Sequence, residues 1–196
     1  MEALRDYLRK VLDQAFAPLA SLLLWCRITP NQVSLGGILL NLVSAALILD
    51  GQLALAGIVY LLAGSLDMLD GALARLAKMS SRFGAFLDST ADRISEGVVF
   101  AAIAYYFARH GLPVDAALTV LALLGSLMVS YTRARAEGLG LECKVGIVTR
   151  AERVVLVALG LMFGLLPVAI YLLVFLTGFS ATQRIVHTLR QLYPQG

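Results

Sequence analysis

The sequence predicts an all-α integral membrane protein: six transmembrane helices around a polar cavity, preceded by an N-terminal amphipathic helix on the membrane surface. Three observations carry this prediction. The chain of 196 residues is 59% hydrophobic, with a mean hydropathy of +0.82. Only 15% of it is charged, whereas soluble domains are about a quarter charged. Long apolar runs recur between short, turn-rich stretches, so the expected solvent for most of the chain is lipid. The length suits a single domain, 1–196, without a separate soluble module.

Residues 2–24 come first. Leu4, Leu8, Val11, Leu12, Ala15, Phe16 and Leu19 recur at helical spacing, and Glu2, Arg5, Asp6, Arg9, Lys10 and Asp13 take the other face. That is the pattern of a helix lying at a lipid interface. The same segment mixes charges and lacks a continuous apolar core, so no cleavable signal peptide is expected. "TPNQ" at 29–32 then breaks and restarts the chain. Pro30 sets the turn, and Thr29 or Asn31 can cap the next helix. Six spans are expected at about 33–49, 53–78, 83–109, 114–137, 150–165 and 167–190. A span needs about 20 residues, so the first and fifth are short. "DGQ" at 50–52, "HGLP" at 110–113 and "GLLP" at 164–167 supply the turns, and "EGLGLECKVG" at 137–146 is a polar, Gly-rich loop.

Basic residues orient the spans. Arg5, Arg9, Lys10, Arg27, Arg75, Lys78, Arg82, Arg93, Arg133, Arg135, Lys144, Arg150, Arg153, Arg184 and Arg190 fall on one side, and Arg109 alone on the other. The first side is expected to be cytoplasmic, with both termini inside and the protein in the cell (inner) membrane. The net charge of +3 then reflects topology and attraction to anionic membrane lipids, and no nucleic-acid partner is expected. Cys26 and Cys143 are far apart, form no CxxC, and read as free thiols on the cytoplasmic side.

Against this apolar background the stretch 66–94 is anomalous. Asp67 and Asp70 sit three apart near the cytoplasmic end of the second span. Asp88 and Asp92 sit four apart at the start of the third. Each pair shares a helical face, and a short connection folds the two helices antiparallel, so all four carboxylates can converge. Together they would repel one another and resist burial unless cations compensate them. Two divalent ions would balance four negative charges. An all-oxygen ligand set without His or Cys suits Mg²⁺ or Mn²⁺ rather than Zn²⁺. Paired metals of this kind clamp the attacking and leaving oxygens of phosphoryl transfer. Gly71, Ala74 and Gly84, each one turn from an acid, leave room for a bulky ligand or a close helix approach. Two rivals stand beside this reading: a small transporter using the acids as ion ligands, and a structural membrane protein.

The pattern Asp67-x2-Asp70-Gly71-x2-Ala74-Arg75-x8-Gly84-x3-Asp88-x3-Asp92 resembles, at every position, the signature of the CDP-alcohol phosphotransferase family. The resemblance implies attack by an alcohol on the β-phosphorus of a CDP-linked lipid, with release of CMP. It implies that Asp67, Asp70 and Asp88 bind metal, and that Asp92 also lies at the metals and serves as the base. Gly71, Ala74, Arg75 and Gly84 would shape the site of the CDP-diacylglycerol or CDP-ether lipid. "TPNQVS" at 29–34 is similar to the family's proline-asparagine turn, so Asn31 and Ser34 are expected at the nucleotide. The family further implies a homodimer.

The acceptor is expected to be a phosphorylated alcohol. Arg133, Arg135, Arg150 and Arg153 flank the loop on the aspartates' side, and arginine pairs bidentately with phosphate. Ordinary positive-inside flanking explains part of this cluster. The run "RARAE…GLGL…G…R.ER" at 133–153 is similar to the branch of the family, with its archaeal ether-lipid counterparts, whose acceptor is inositol 1-phosphate. Glycerol 3-phosphate is the alternative.

Overall fold

Turn chemistry cuts the chain close to the expected places. The computed structural model describes residues 18–76 and 81–193, apart from the side chains of Ala74 and Arg75. Every regular element in them is helical. A first helix, α1, occupies 18–25. It is followed by α2 (Pro30–Leu49), α3 (Leu53–Leu76), α4 (Arg82–Arg109), α5 (Pro113–Gly138), α6 (Arg150–Met162) and α7 (Leu166–Leu192). Of the expected interfacial helix, residues 2–17 lie outside the described residues.

α2 begins three residues earlier than expected because Pro30 suits the first helical position, where its fixed φ is pre-organised and no N–H is needed. The Thr29 N–H donates to Gln32 Oε1 at 2.8 Å and closes that terminus. The hairpin turns use Gly51, Gly111 and Gly164 at φ 83°, 74° and 70°, a left-handed conformation that costs glycine little. α6 departs by as much at its C-terminal end. It stops at Met162, ahead of the Gly164 turn, rather than at 165. Its 13 residues span roughly 20 Å, less than the hydrocarbon thickness of about 30 Å.

Among the described residues, four segments are long and apolar enough to cross a membrane: Pro30–Leu49, Leu53–Leu73, Pro113–Gly138 and Leu166–Leu192. α4 has the length, with 28 residues, but Asp88, Asp92, Arg93 and Glu96 interrupt its apolar character. Exposed Leu39, Leu62, Leu124 and Phe175 give the bundle an apolar outer surface, as lipid requires.

α2 packs on α3 and α4, α3 on α6, α4 on α5, and α7 on α5 and α6. The main apolar core includes Ile48, Val99, Phe100, Ile103, Phe107, Leu161, Leu166 and Ile170. Small residues set the α3–α6 crossing. A Cβ added at Gly57 would lie 2.7 Å from the Ala158 carbonyl oxygen, and one at Gly64 2.7 Å from Val154 Cγ1. This close approach brings the start of α6 to the end of α3. A second cluster, Ala20, Val33, Leu69 and Leu73, docks α1 beside the same end of α3.

Candidate active site

The sequence spacing places Asp67 and Asp70 on one face of α3, and Asp88 on the first turns of α4. In the folded chain these three carboxylates offer ligand oxygens within 4.8 Å of one another. Asp70 is buried; Asp67 and Asp88 are half-buried. Ser34, from the start of α2, donates its hydroxyl to Asp70 Oδ2 at 2.5 Å. Asp92 lies one turn beyond Asp88 and stands outside the three-carboxylate group. Arg150 Nη1, at the first residue of α6, contacts Asp92 Oδ1 at 2.9 Å and also touches Asp67 Oδ2. Arg93 Nη1 is 3.6 Å from Asp92 Oδ2. A small cleft between these groups is lined by Ser34, Gly37, Ile38 and Asn41 of α2, Asp67 of α3, Asp88, Ala91, Asp92 and Ser95 of α4, and Arg150 of α6.

The donor set fits a hard divalent cation. Three carboxylates from two helices converge at a spacing that one ion, or a close pair, can bridge, and oxygen-only ligation favours Mg²⁺ or Mn²⁺. The helix that carries Arg150 is held firmly. Thr149 N–H donates to Glu152 Oε2 at 2.8 Å. The preceding loop is tied to α7. Ser180 Oγ accepts the N–H groups of Ile147 and Val148, each at 3.2 Å. Arg184 Nε donates to the Val145 carbonyl at 2.8 Å, and its Nη1 to that of Val129. A Cβ at Gly146, where φ is 122°, would come within 3.0 Å of Arg184 Nε.

The other expected site residues divide. Asn31 and Gly84 meet where α2 and α4 begin: a Cβ at Gly84 would lie 3.2 Å from Ser81 Oγ and 3.8 Å from Asn31 Oδ1. Gly71 follows Asp70 and is half-buried. The side chains of Ala74 and Arg75 lie outside the described residues. The four arginines expected to face one cavity do not act as a set. Arg150 alone contacts the aspartates. Arg153, one turn deeper, is 2% exposed and gives Nε and Nη2 to Glu96 at 2.8 and 3.1 Å. Arg133 is exposed and pairs with Glu137 of its own helix at 2.8 Å, while Arg135 is exposed near the end of α5.

Sequence reasoning missed Asn41, Ser95 and Glu96. Asn41 is 5% exposed and donates to the Gly37 carbonyl at 2.8 Å. A lone Asn in the run "GGILLNLVSAALIL" was the available signal, because polar groups within a span are costly. Glu96 continues the Asp88, Asp92 register by one further turn.

Apolar helices of this length, with a carboxylate cluster at one end, fit a membrane protein with a divalent-cation site. A family model described as CDP-alcohol phosphatidyltransferase matches residues 27–185, and the chain belongs to that family. The archaetidylinositol phosphate synthase of Pyrococcus horikoshii is 37% identical over 193 residues, covering 98% of each chain. The crystal structure of phosphatidylinositol phosphate synthase of Mycobacterium tuberculosis with CDP-DAG bound is similar at a TM-score of 0.81 and 33% identity, over 90% of this chain and 94% of that one. The same enzyme in complex with manganese and citrate gives 0.79 and 34%, over 88% of each.

Proposed function

We propose that this chain transfers a phosphatidyl group, or its ether-lipid equivalent, from a CDP-linked lipid to inositol 1-phosphate, releasing CMP. The observation that carries the proposal is the convergence of Asp67, Asp70 and Asp88 within 4.8 Å, with Asp92 one turn away and paired to a cation from a third helix. The likeness to synthases named for inositol phosphate products supports the acceptor. Six spans, with both termini and the site cytoplasmic, agree with the distribution of basic residues. Residues 1–196 then act as one membrane domain, and family resemblance supports a homodimer.

Asp67, Asp70 and Asp88 would hold Mg²⁺ or Mn²⁺, as the manganese complex of the mycobacterial relative also suggests. A divalent ion held there would supply charge neutralisation for the phosphates and so ease departure of CMP. Ser34 fixes Asp70 through its hydroxyl. Asn31, Gly71, Ala74, Arg75 and Gly84 would accommodate the nucleotide at the mouth formed by α2 and α4. The acceptor hydroxyl oxygen forms a bond to the β-phosphorus as the bond from that phosphorus to the bridging oxygen of CMP breaks. The hydroxyl proton passes to the Asp92 carboxylate. Arg150 is best placed for the acceptor's phosphate, with Arg133 and Arg135 on the approach. Arg153 contributes indirectly, by binding Glu96 and fixing α6 to α4. A site just inside the cytoplasmic surface lets the lipid tail stay in the bilayer while the acceptor arrives from water.

The test is an acceptor screen. Purified protein in lipid nanodiscs receives CDP-diacylglycerol, Mg²⁺ and one of inositol 1-phosphate, glycerol 3-phosphate, free inositol or serine, and CMP is measured. Inositol 1-phosphate should give the fastest release. Preference for glycerol 3-phosphate, free inositol or serine would overturn the acceptor and leave the transferase reading standing. No CMP with any acceptor would overturn both.

A further inference from the structure

We infer that Arg150 couples the two halves of the site: its guanidinium serves either the carboxylates of Asp67 and Asp92 or the acceptor's phosphate, so cation binding prepares acceptor binding. The inference rests on the proposed metal and acceptor.

The backbone at Arg150 has little freedom. Thr149 and Glu152 close the helix terminus, and Ser180 binds the two backbone N–H groups just before it. What can change is the side-chain rotamer. The side chain reaches across from α6 to touch both Asp67 of α3 and Asp92 of α4. Asp67 belongs to the three carboxylates whose oxygens converge. A cation held by the Asp67 carboxylate would repel the guanidinium paired with that same carboxylate. The two contacts therefore oppose each other.

Two neighbouring arginines show what distinguishes this pair from a structural one. Arg153 places Nε and Nη2 on the two oxygens of Glu96, at 2.8 and 3.1 Å. Its fork is matched. Arg150 places one Nη on two different carboxylates, and its Nε is buried without a hydrogen-bond partner among the described residues. Buried donors are nearly always paired in a finished structure. A phosphate could accept from both edges of the fork, which the present carboxylate contacts do not. Displacement from Asp67 thus gives the guanidinium a better-matched partner, provided an anion with several acceptor oxygens arrives. Thermodynamic linkage makes the effect reciprocal: the cation tightens phosphate binding, and phosphate tightens cation binding.

The experiment follows free Mn²⁺ by electron paramagnetic resonance as it is titrated onto protein in neutral-lipid nanodiscs without phosphate. Wild type, Arg150→Gln, Arg150→Lys and Arg93→Gln are compared. Arg150→Gln should bind Mn²⁺ more tightly, by roughly five- to a hundredfold, the usual range of such couplings. Arg93→Gln should change affinity less, because among the described residues its ion pair is with Asp92, outside the three-carboxylate group, and it also bonds the Ser89 carbonyl. Calorimetry with inositol 1-phosphate should then show tighter binding to Mn²⁺-loaded than to chelated wild type. Arg150→Lys should keep wild-type-like Mn²⁺ competition but lose most of that gain, since an ammonium has no fork. Unchanged or weaker Mn²⁺ binding by Arg150→Gln, or an equal gain in Arg93→Gln, would overturn the inference. Failure of wild type to bind Mn²⁺ at all would instead overturn the metal site on which it rests.

Discussion

Between Asp88 and Glu96, α4 carries three carboxylates at one-turn intervals. Between Val99 and Phe107 it carries Val99, Phe100, Ile103 and Phe107, none more than 1% exposed. One continuous helix thus faces a polar cleft with its first half and a packed apolar core with its second. The halves hold together differently. Each acid in the first half has a partner from another helix or lies among the converging carboxylates: Asp92 with Arg150, Glu96 with Arg153, Asp88 beside Asp67 and Asp70. The second half needs only complementary shape. Charge within a span is expensive even when paired, so acids at one-turn intervals from Asp88 to Glu96 mark the polar half of the helix. Glu96 and Arg153 form the boundary between the two regimes.

The comparison is broken first at Asp92. Asp92→Asn should lower CMP release by roughly 10²- to 10⁴-fold, the range for loss of a general base. Mn²⁺ binding should survive, because Asp67, Asp70 and Asp88 remain. Near-wild-type turnover would remove Asp92 from the role of base. At the boundary, Glu96→Ala leaves a buried guanidinium unpaired and should cost about 3–5 kcal/mol in reversible unfolding. Adding Arg153→Met should recover most of that loss, since the charge then goes with its partner; a double variant no better than the single one would mean the pair is not the boundary. In the apolar half, Ile103→Val should cost only about 0.5–1.5 kcal/mol, and Mn²⁺ affinity should not move. A metal-affinity change there would show that the halves are not independent.

Much of this was legible in the sequence, for local reasons. The helices end where Gly51, Gly111 and Gly164 turn and begin where Pro30, Pro113 and Pro167 fall, because those residues act on their own backbone. Three of the four aspartates were legible as a group, because two helices joined by a short stretch of sequence leave few ways to arrange acids with helical spacing; Asp92 stands outside that group and meets Arg150. Free Cys26 and Cys143 were legible too, one exposed and one buried. The roles of the basic residues were not. Arg150 and Arg153 are three residues apart and look alike in sequence, yet one reaches Asp67 and Asp92 and the other is locked to Glu96. That difference depends on how deeply α6 sits against α3, set by Gly57 and Gly64 meeting Ala158 and Val154. Arg184 read as flanking charge, but it is 5% exposed and holds the loop before α6. Its role depends on two carbonyls, 39 and 55 residues away, which no periodicity reports.

The central claim is that the convergence of Asp67, Asp70 and Asp88 is a cation site on which phosphoryl transfer depends. The most direct measurement is CMP release from CDP-diacylglycerol by the purified wild-type protein, before and after thorough chelation, and again after adding back Mg²⁺ or Mn²⁺. The account predicts loss of release on chelation and its return with either ion. Undiminished release from the chelated protein would contradict it.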